Sequence, residues 1–432
     1  MKMIKNVRTL LAGAFLSTMA LSSATATELP DMTVPNGCGM QIKPNCSSVE
    51  DLDDLKALGF KFVRRGFLWN GIEKEKGVYD FSGHDEIMKN LKERGFRVIG
   101  VIGLNSKIHG HPKDQPARGE YAKFAAALVE RYKDYDVLWE IWNEPNTMHF
   151  WGKHGGKGNT EQYAKEYVTL VKEAVPAMRK ADPKCFILAG SVSCLWEPSF
   201  NWTDYCFKNG ILQTGINGWS VHPYGFKLPE DYTEAYAVVR DILAKNNVPK
   251  DFPMVNSERG FSLSGKNVET WAGGDEKMAD QFQAWHFVRQ YMIDLLNNVR
   301  VTIWYEWKDG QQECEFIKSG VKRPAYNAAK VMIGQLNGYH LVKRLPLESP
   351  QDYLLLFENA AGSQKIVAWT SPPPKETPDK AKVHPVDIEV KNGGVLDIYD
   401  VNGNKSSAEA KDGKISLKLS GSPQYVDFTG KK

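Results

Sequence analysis

The chain has 432 residues, of which 42% are hydrophobic and 25% are charged, a composition that fits one large globular domain with a smaller one and argues against disorder. The formal net charge of +3 comes from three basic residues at the N-terminus, so the remaining chain is formally neutral. No excess of basic residues favours a nucleic-acid partner.

Residues 1–26 have the pattern of a secretory signal peptide. Three basic residues precede an apolar stretch at residues 10–21, and Ala24-Thr25-Ala26 fits a cleavage site. The apolar stretch is short for a membrane span, and no later segment approaches the roughly 20 uninterrupted apolar residues that a span needs. We therefore expect an exported protein, periplasmic or extracellular, without a membrane span.

Between residues 37 and 340, short apolar runs alternate with longer stretches of helical periodicity, which predicts a parallel sheet with crossover helices. Eight such units favour an α/β fold of the TIM-barrel type, a (β/α)8 barrel. An open doubly wound sheet is the alternative, but no glycine-rich phosphate loop follows the first strand. The predicted strands are at residues 38–42, 60–66, 96–103, 137–142, 185–192, 218–222, 253–258 and 301–307.

After Gly338 the pattern changes to alternating apolar and polar residues between turn signals such as Asn402-Gly403. This alternation predicts a small antiparallel β-sheet or β-sandwich. We therefore divide the chain into a signal peptide at residues 1–26, a catalytic barrel at 27–338 and a β-rich C-terminal domain at 339–432.

The six cysteines all follow the predicted leader. An even number in an exported protein permits disulfides, and Cys38 with Cys46 or Cys194 with Cys206 would each close a short loop. Buried free thiols are an equally good interpretation. None of the six has the paired CxxC spacing of a zinc site.

Two predicted strands end in a glutamate. Glu144 lies in Trp142-Asn143-Glu144-Pro145-Asn146, and Glu258 ends the apolar run that starts at Phe252. Glycoside hydrolysis needs a proton donor on one side of the bond and a nucleophile or base on the other. Because a TIM barrel gathers the carboxyl ends of its strands, we predict Glu144 as acid and later base, and Glu258 as nucleophile.

Other polar side chains at predicted strand ends supply the rest of the site. Asn143 is expected to bind the sugar 2-hydroxyl. Arg64 would keep Glu258 ionised, Tyr224 would orient it, and His222 would modulate the acid. Together with the catalytic pair, these residues form the predicted sugar-binding centre.

Aromatic residues near strand ends could stack on sugar rings, and we favour Trp151 and Trp307 as cleft residues. Trp304 and Trp307 project to opposite faces of one strand and cannot both face the sugar. The full aromatic set comprises Trp69, Phe150, Trp151, Trp196, Trp202, Trp304 and Trp307.

Two further groups of ionisable residues receive no catalytic role. Glu140 and Glu306 are interpreted as structural, since Glu140 lies deeper in its strand and could pair with a basic neighbour. Four histidines follow the third and fourth strands, but their spacing matches no metal-ligand motif. We therefore predict no metal and no organic cofactor. The four are His109, His111, His149 and His154.

Taken together, these motifs resemble the retaining TIM-barrel glycoside hydrolases of clan A. The resemblance is carried by Trp142-Asn143-Glu144-Pro145-Asn146, Glu258-Arg259-Gly260, Val63-Arg64 and His222-Pro223-Tyr224. Family 39 is the most similar, in particular its bacterial secreted endoglycosidases, and family 5 is second because it shares Asn-Glu-Pro. The resemblance implies net retention, and it supports Arg64 as the arginine that faces inward.

The sequence thus predicts an exported retaining β-glycosidase that cleaves a polysaccharide or oligosaccharide in an endo-acting mode. One alternative is an exo-acting enzyme similar to β-xylosidases. Another is a carbohydrate-binding protein that uses the same barrel without turnover. No particular oligomeric state is predicted.

Overall fold

The computed structural model describes residues 28–428, except 45–46, 153–156, 226–227, 311 and 391–393. The predicted signal peptide and His154 therefore lie outside the described residues. Within the described part of the chain, no helix is both long and apolar enough to cross a bilayer.

Eight parallel strands form a closed barrel, which confirms the predicted fold class. They follow one another around the ring, and the eighth pairs with the first. Both faces of each strand are covered, as is usual in parallel sheets. The strands are β1 (Cys38–Gln41), β2 (Phe62–Leu68), β3 (Arg97–Gly103), β4 (Val137–Ile141), β5 (Phe186–Ser193), β6 (Gly218–His222), β7 (Met254–Arg259) and β8 (Val299–Trp304).

In the described part of the chain, seven long helices connect successive barrel strands on the outside of the barrel, and an eighth follows β8. The first begins with a capping box between Ser48 and Asp51 and ends at Gly59, whose φ of 96° suits glycine. The helices are α1 (Val49–Leu58), α2 (Ser82–Glu93), α3 (Ala117–Tyr132), α4 (Glu161–Ala181), α5 (Glu197–Lys208), α6 (Tyr232–Lys245), α7 (Glu276–Leu296) and α8 (Pro324–Leu336). The loops also contain two short helices, Trp69–Ile72 and Gly265–Ala272. They contain two small hairpins, one that pairs Glu73–Glu75 with Val78–Tyr79 and one that pairs Ile317–Lys318 with Val321–Lys322.

The C-terminal region forms antiparallel sheets, as predicted. A separate two-stranded sheet, His384–Glu389 with Lys414–Leu419, shares an apolar core with the larger sheet through side chains such as Leu354 and Leu417. The larger sheet has six strands in the order Tyr339–Arg344, Asp352–Asn359, Gln364–Thr370, Gln424–Asp427, Val395–Asp400 and Lys405–Glu409.

The β-domain contacts the barrel at a buried ion pair between two barrel residues. Arg289 of α7 donates two hydrogen bonds, of 2.7 and 2.5 Å, to the carboxylate of Glu230, in the segment that leads from β6 into α6. The indole of Trp369, from the β-domain, donates to the same carboxylate at 2.7 Å. The β-domain therefore contacts the segment that follows His222 and Tyr224.

The predicted disulfide between Cys194 and Cys206 is wrong, because both are free thiols. Cys206 is buried in α5, whereas Cys194 lies in the loop after β5 beside Gly225. Cys38 is also a free, buried thiol, and its predicted partner Cys46 lies outside the described residues. Burial raises the pKa of the Cys38 thiol, which keeps it protonated.

Candidate active site

The carboxyl ends of the barrel strands enclose a cavity of about 430 Å³. It contains Arg64, Asn143, Glu144, Tyr224 and Glu258, so five of the residues expected at the site do come together. The lining comprises Gln41, Arg64, Gly66, Leu68, Val101, Gly103, Leu104, Asn143, Glu144, Phe150, Ser193, Tyr224, Glu258, Tyr305 and Gln312.

A larger cavity of about 660 Å³ lies between the helix Gly265–Ala272 and the hairpin that contains Val321. Several of its charges are neutralised in pairs, Arg323 with Asp280 at 2.7 Å and Lys318 with Glu313 at 2.8 Å. Its described lining includes no aromatic side chain on which a sugar could stack. The smaller cavity is therefore the better candidate for carbohydrate chemistry.

Glu144 and Glu258 lie close together in the smaller cavity. A carboxylate oxygen of one lies within 4.8 Å of a carboxylate oxygen of the other, and the side chains are 13% and 14% exposed. Carboxyl groups about 5–5.5 Å apart are typical of retaining glycosidases, whereas inverting enzymes need roughly 6.5–9.5 Å to admit a water. The close approach of one oxygen from each carboxylate fits the retaining geometry better than the inverting one.

The turn after β4 directs Glu144 into the cavity. Trp142 and Glu144 have φ values of 71° and 48°, in the left-handed region that non-glycine residues seldom adopt. Such backbone strain is often found at functional sites, where the surrounding structure holds it.

Arg64 is buried and connects the two halves of the site. Its guanidinium donates to Glu258 at 2.7 Å, to Asn143 at 2.8 Å, to Glu140 at 2.9 Å and to Gln41 at 3.0 Å. Burial alone would raise the pKa of Glu140, but the charge of Arg64, together with His222 and the hydroxyls of Ser220 and Ser257, outweighs it, so that pKa lies below its ordinary value. Glu140 thus has the structural role expected for it, since its charge balances that of Arg64.

The neighbouring Arg65 points to the outside of the barrel. Its guanidinium lies 3.2 Å from Nδ1 of His84 and 5.7 Å from the ring centre of Phe67. Burial lowers the pKa of Arg65 to about 10. Side chains alternate along β2, so Arg64 points into the active-site cavity and Arg65 packs against the outside of the barrel.

His222 lies behind the acid and is fully buried. Its Nδ1 is 3.0 Å from Oε1 of Glu144, and its Nε2 is 3.3 Å from Nη2 of Arg64. Because a guanidinium can only donate, we assign Nε2 as the acceptor and place the proton on Nδ1. His222 therefore donates to Oε1 of Glu144 and leaves Oε2 to carry the acidic proton.

Tyr224 contacts the nucleophile from the other side. Its hydroxyl donates to Oε1 of Glu258 at 3.3 Å, and the guanidinium of Arg259 lies 5.3 Å from its ring centre. Burial, followed by the charge of Glu258, raises the pKa of Tyr224 well above its ordinary value. The hydroxyl thus stays protonated and can serve as a donor.

Two tryptophans differ from the sequence prediction. Trp151 and Trp307 are buried and do not line the cavity. The indole of Trp151 donates to Glu166 of α4, and that of Trp307 donates to Asp51 of α1. Because β8 ends at Trp304, the expected strand register does not extend to Trp307, and both indoles anchor loops to surrounding helices.

Several cavity residues were not predicted. Gln41 ends β1, binds Arg64 and follows an apolar strand, so its polar side chain was a usable signal. Tyr305 lines the cavity, whereas Trp307 does not, and the hydroxyl of Tyr305 accepts from Lys43 at 2.7 Å. Lys43 also pairs with buried Glu306 at 2.6 Å, which agrees with a structural role for that glutamate.

Glu144, His222 and Glu258 also form the one group in the described part of the chain whose donor atoms are spaced for a metal ion. Arg64 already donates to Glu258, and the proton assigned to Nδ1 of His222 points at Glu144. A metal would have to displace both contacts beside a fixed positive charge. The arrangement suits acid–base chemistry on two carboxyls better than metal coordination.

Comparison with known proteins gives a family match over most of the barrel. Residues 24–305 match the family model described as Cellulase (glycosyl hydrolase family 5). A beta-galactosidase from Arthrobacter sp. is 29% identical over an alignment of 125 residues. That alignment covers 22% of this chain and only 18% of the relative's length.

Solved glycosidase structures share the fold. A family 39 glycoside hydrolase from the gut symbiont Bacteroides cellulosilyticus WH2 superposes with a TM-score of 0.72 and 20% identity, covering 93% of this chain and 82% of that one. A monomeric beta-xylosidase from Caulobacter crescentus CB15 superposes with a TM-score of 0.65 and 14% identity, covering 90% and 95%. Families 5 and 39 are the two that the sequence resembles, so the resemblance to clan A is confirmed.

Proposed function

The chain belongs to the cellulase family, glycosyl hydrolase family 5, and from this premise we propose that it hydrolyses β-glycosidic bonds with retention of anomeric configuration. The observation that carries the proposal is the close approach of the two carboxylates, since one oxygen of Glu144 lies within 4.8 Å of one oxygen of Glu258. At this distance Glu258 can reach the anomeric carbon while Glu144 reaches the glycosidic oxygen.

In the first step, a carboxylate oxygen of Glu258 attacks the anomeric carbon. The bond from that carbon to the glycosidic oxygen breaks, and the oxygen takes the proton from Oε2 of Glu144. Arg64 and Tyr224 position the nucleophile through bonds of 2.7 and 3.3 Å. The products are a glycosyl ester on Glu258 and a leaving group with a free hydroxyl.

In the second step, the ionised Glu144 removes a proton from water, which attacks the same carbon and releases Glu258. The N–H of His222 stabilises the Glu144 carboxylate between the two steps. Oδ1 of Asn143 accepts from Arg64. The amide NH2 of Asn143 is therefore available to donate to the sugar 2-hydroxyl, and this interaction strengthens in the transition state.

Stereochemistry gives the direct test. Proton NMR of the first product should detect the β-anomer before mutarotation, and Glu144→Gln and Glu258→Gln should each abolish turnover while circular dichroism stays unchanged. First formation of the α-anomer would contradict the proposal. Unchanged hydrolysis in both variants would remove Glu144 and Glu258 from the mechanism.

We further propose that the enzyme is exported and cleaves within a polysaccharide chain. The leader pattern of residues 1–26 supports export, and N-terminal sequencing of the mature protein tests it. A panel of xylans, β-glucans, mannans and bacterial exopolysaccharides tests the substrate, with Glu258→Gln as the blank. A ladder of oligosaccharides supports internal cleavage.

The second candidate is an exo-acting glycosidase, which the fold shared with the Caulobacter crescentus beta-xylosidase favours. In that case the same panel would release monosaccharide alone. A protein that only binds carbohydrate is less consistent with the site, because both carboxyls and their hydrogen-bond partners are in place.

A further inference from the structure

Arg259, the residue that follows the nucleophile along the chain, is a buried cation. Only 4% of it is exposed. Its guanidinium donates to the carbonyl of Gly260 and to Nε2 of His286, the latter at 2.8 Å. Neither of these partners is a carboxylate, although a buried arginine is normally paired with one. A cation at this position therefore calls for a role other than a local ion pair.

His286, on α7, anchors this cation as a neutral acceptor. Because a guanidinium can only donate, Nε2 of His286 accepts and the ring proton lies on Nδ1. Burial, followed by the charges of Arg259 and Arg289, lowers the pKa of His286 well below its ordinary value. The imidazole also packs against Phe261, with 4.9 Å between the ring centres. His286 thus fixes the guanidinium from the surrounding helix layer.

Two tyrosine rings contact the same guanidinium. Its central carbon lies 5.3 Å from the ring centre of Tyr224 and 5.5 Å from that of Tyr232, at the start of α6. A cation is attracted to an aromatic ring, and more strongly where water is excluded. The hydroxyl of Tyr224 donates to Glu258 at 3.3 Å, a long bond that restrains the phenol only weakly. The contact with Arg259 supplies a second restraint on the same ring.

We propose that Arg259 is a positioning residue, which holds the Tyr224 ring so that its hydroxyl faces Glu258. Arg259 does not line the cavity, so it acts through Tyr224 and not on the sugar. The effect on rate rests on the proposed function. The contacts that connect the helix layer to the nucleophile join His286 to Arg259, Arg259 to Tyr224, and Tyr224 to Glu258.

The first test needs no turnover. The 17 tyrosines are replaced by 3-fluorotyrosine, and the fluorine NMR resonance that disappears in Tyr224→Phe is assigned to Tyr224. Arg259→Met should move this resonance by more than its line width, because the ring loses its cation. The matched control is Arg240→Met, since Arg240 donates to the backbone carbonyls of Phe252 and Asn298, which precede β7 and β8. A Tyr224 resonance that stays in place in Arg259→Met would overturn the inference.

Two variants of His286 test the anchor while Arg259 stays in place. His286→Gln retains an acceptor oxygen for the guanidinium, whereas His286→Leu removes the acceptor. The Tyr224 resonance should move in His286→Leu and remain close to its wild-type position in His286→Gln. This pair also decides the question if Arg259→Met does not fold. The same resonance position in both variants would contradict the inference.

Kinetics test whether Arg259 acts through Tyr224. On the substrate that the polysaccharide panel identifies, Arg259→Met should lower kcat/KM about tenfold, and Tyr224→Phe should lower it at least as much. The double variant should be no slower than Tyr224→Phe alone, whereas losses that multiply would overturn the inference. A chain that hydrolyses nothing, yet shows the expected resonance shifts, would refute the proposed function and still support the contact that positions Tyr224.

Discussion

Arg64→Lys is the substitution that tests the architecture of the site most sharply. The guanidinium serves five acceptor atoms, on Gln41, Glu140, Asn143, His222 and Glu258. Lysine keeps the charge but has only three N–H donors on a single nitrogen, so at least two acceptors lose their donor.

The acceptors that lose their donor can be inferred from burial. Glu140 is fully buried, and an unpaired charge there is strongly unfavourable, so the ammonium should stay with it. Glu258 and Asn143, nearer the cavity, would then be released. Hydrogen bonds to charged groups contribute about 1.5–3 kcal/mol each, so two lost bonds amount to about 3–6 kcal/mol. If this loss of interaction energy raises the transition-state free energy by the same amount, kcat/KM falls by about 10²–10⁴.

The adjacent Arg65 provides the matched control. Arg65→Lys makes the same chemical change on the outer face of the same strand, where the partners are His84 and Phe67. We expect its kcat/KM to stay within about threefold of the wild type, on whichever substrate the polysaccharide panel identifies. Thermal unfolding of both variants distinguishes a loss of folding from a folded enzyme in which Glu258 and Asn143 are misplaced. Equal activity losses in the two variants, or a loss below threefold for Arg64→Lys, would refute the reasoning.

Three further predictions concern His222, His84 and Arg289. His222→Phe keeps an aromatic ring but removes the N–H that supports the acid Glu144, so it should lower kcat at least tenfold for sugar leaving groups and less for dinitrophenyl glycosides; comparing the two substrates measures this. Burial lowers the pKa of His84 from 6.5 to about 4, so the folded state resists a proton that the unfolded chain binds. The free energy of unfolding should therefore fall as the pH drops from about 6.5 to about 4, and urea titrations should find a shallower decline in His84→Gln. Arg289→Met leaves the Glu230 carboxylate buried without its cation and should reduce the free energy of unfolding by about 3–5 kcal/mol, whereas adding Glu230→Gln should recover part of that loss.

Much of the fold was predictable because most barrel strands are short, mainly apolar runs that are buried on both faces. The strand ends followed from the same runs, and they identified Glu144 and Glu258 as a pair. Their separation was not predictable, since it depends on how the closed ring positions β4 against β7 and on the left-handed turn at Glu144. That turn has no simple sequence signal, because it occurs at residues other than glycine.

The aromatic residues mark the limit of sequence reasoning. Trp151, Trp196 and Trp307 all follow predicted strand ends, and residue type alone does not separate a buried indole from an exposed one. Trp151 and Trp307 are both part of the main apolar core, and their indoles donate to Glu166 and Asp51 on helices outside the barrel strands. Exposure of Trp196 depends on where α5 begins. Such contacts appear only when the tertiary structure is known.

The five acceptors of Arg64 come from β1, β4, β6 and β7 or the loops that follow them, and they lie between 23 and 194 residues from it along the chain. Contacts of such long sequence separation form late, after the entropy of closing large loops has been overcome. A refolding chain should thus regain helical circular dichroism before it regains turnover. The rate at which catalytic activity returns during refolding should therefore measure the rate at which the barrel closes between β1 and β8.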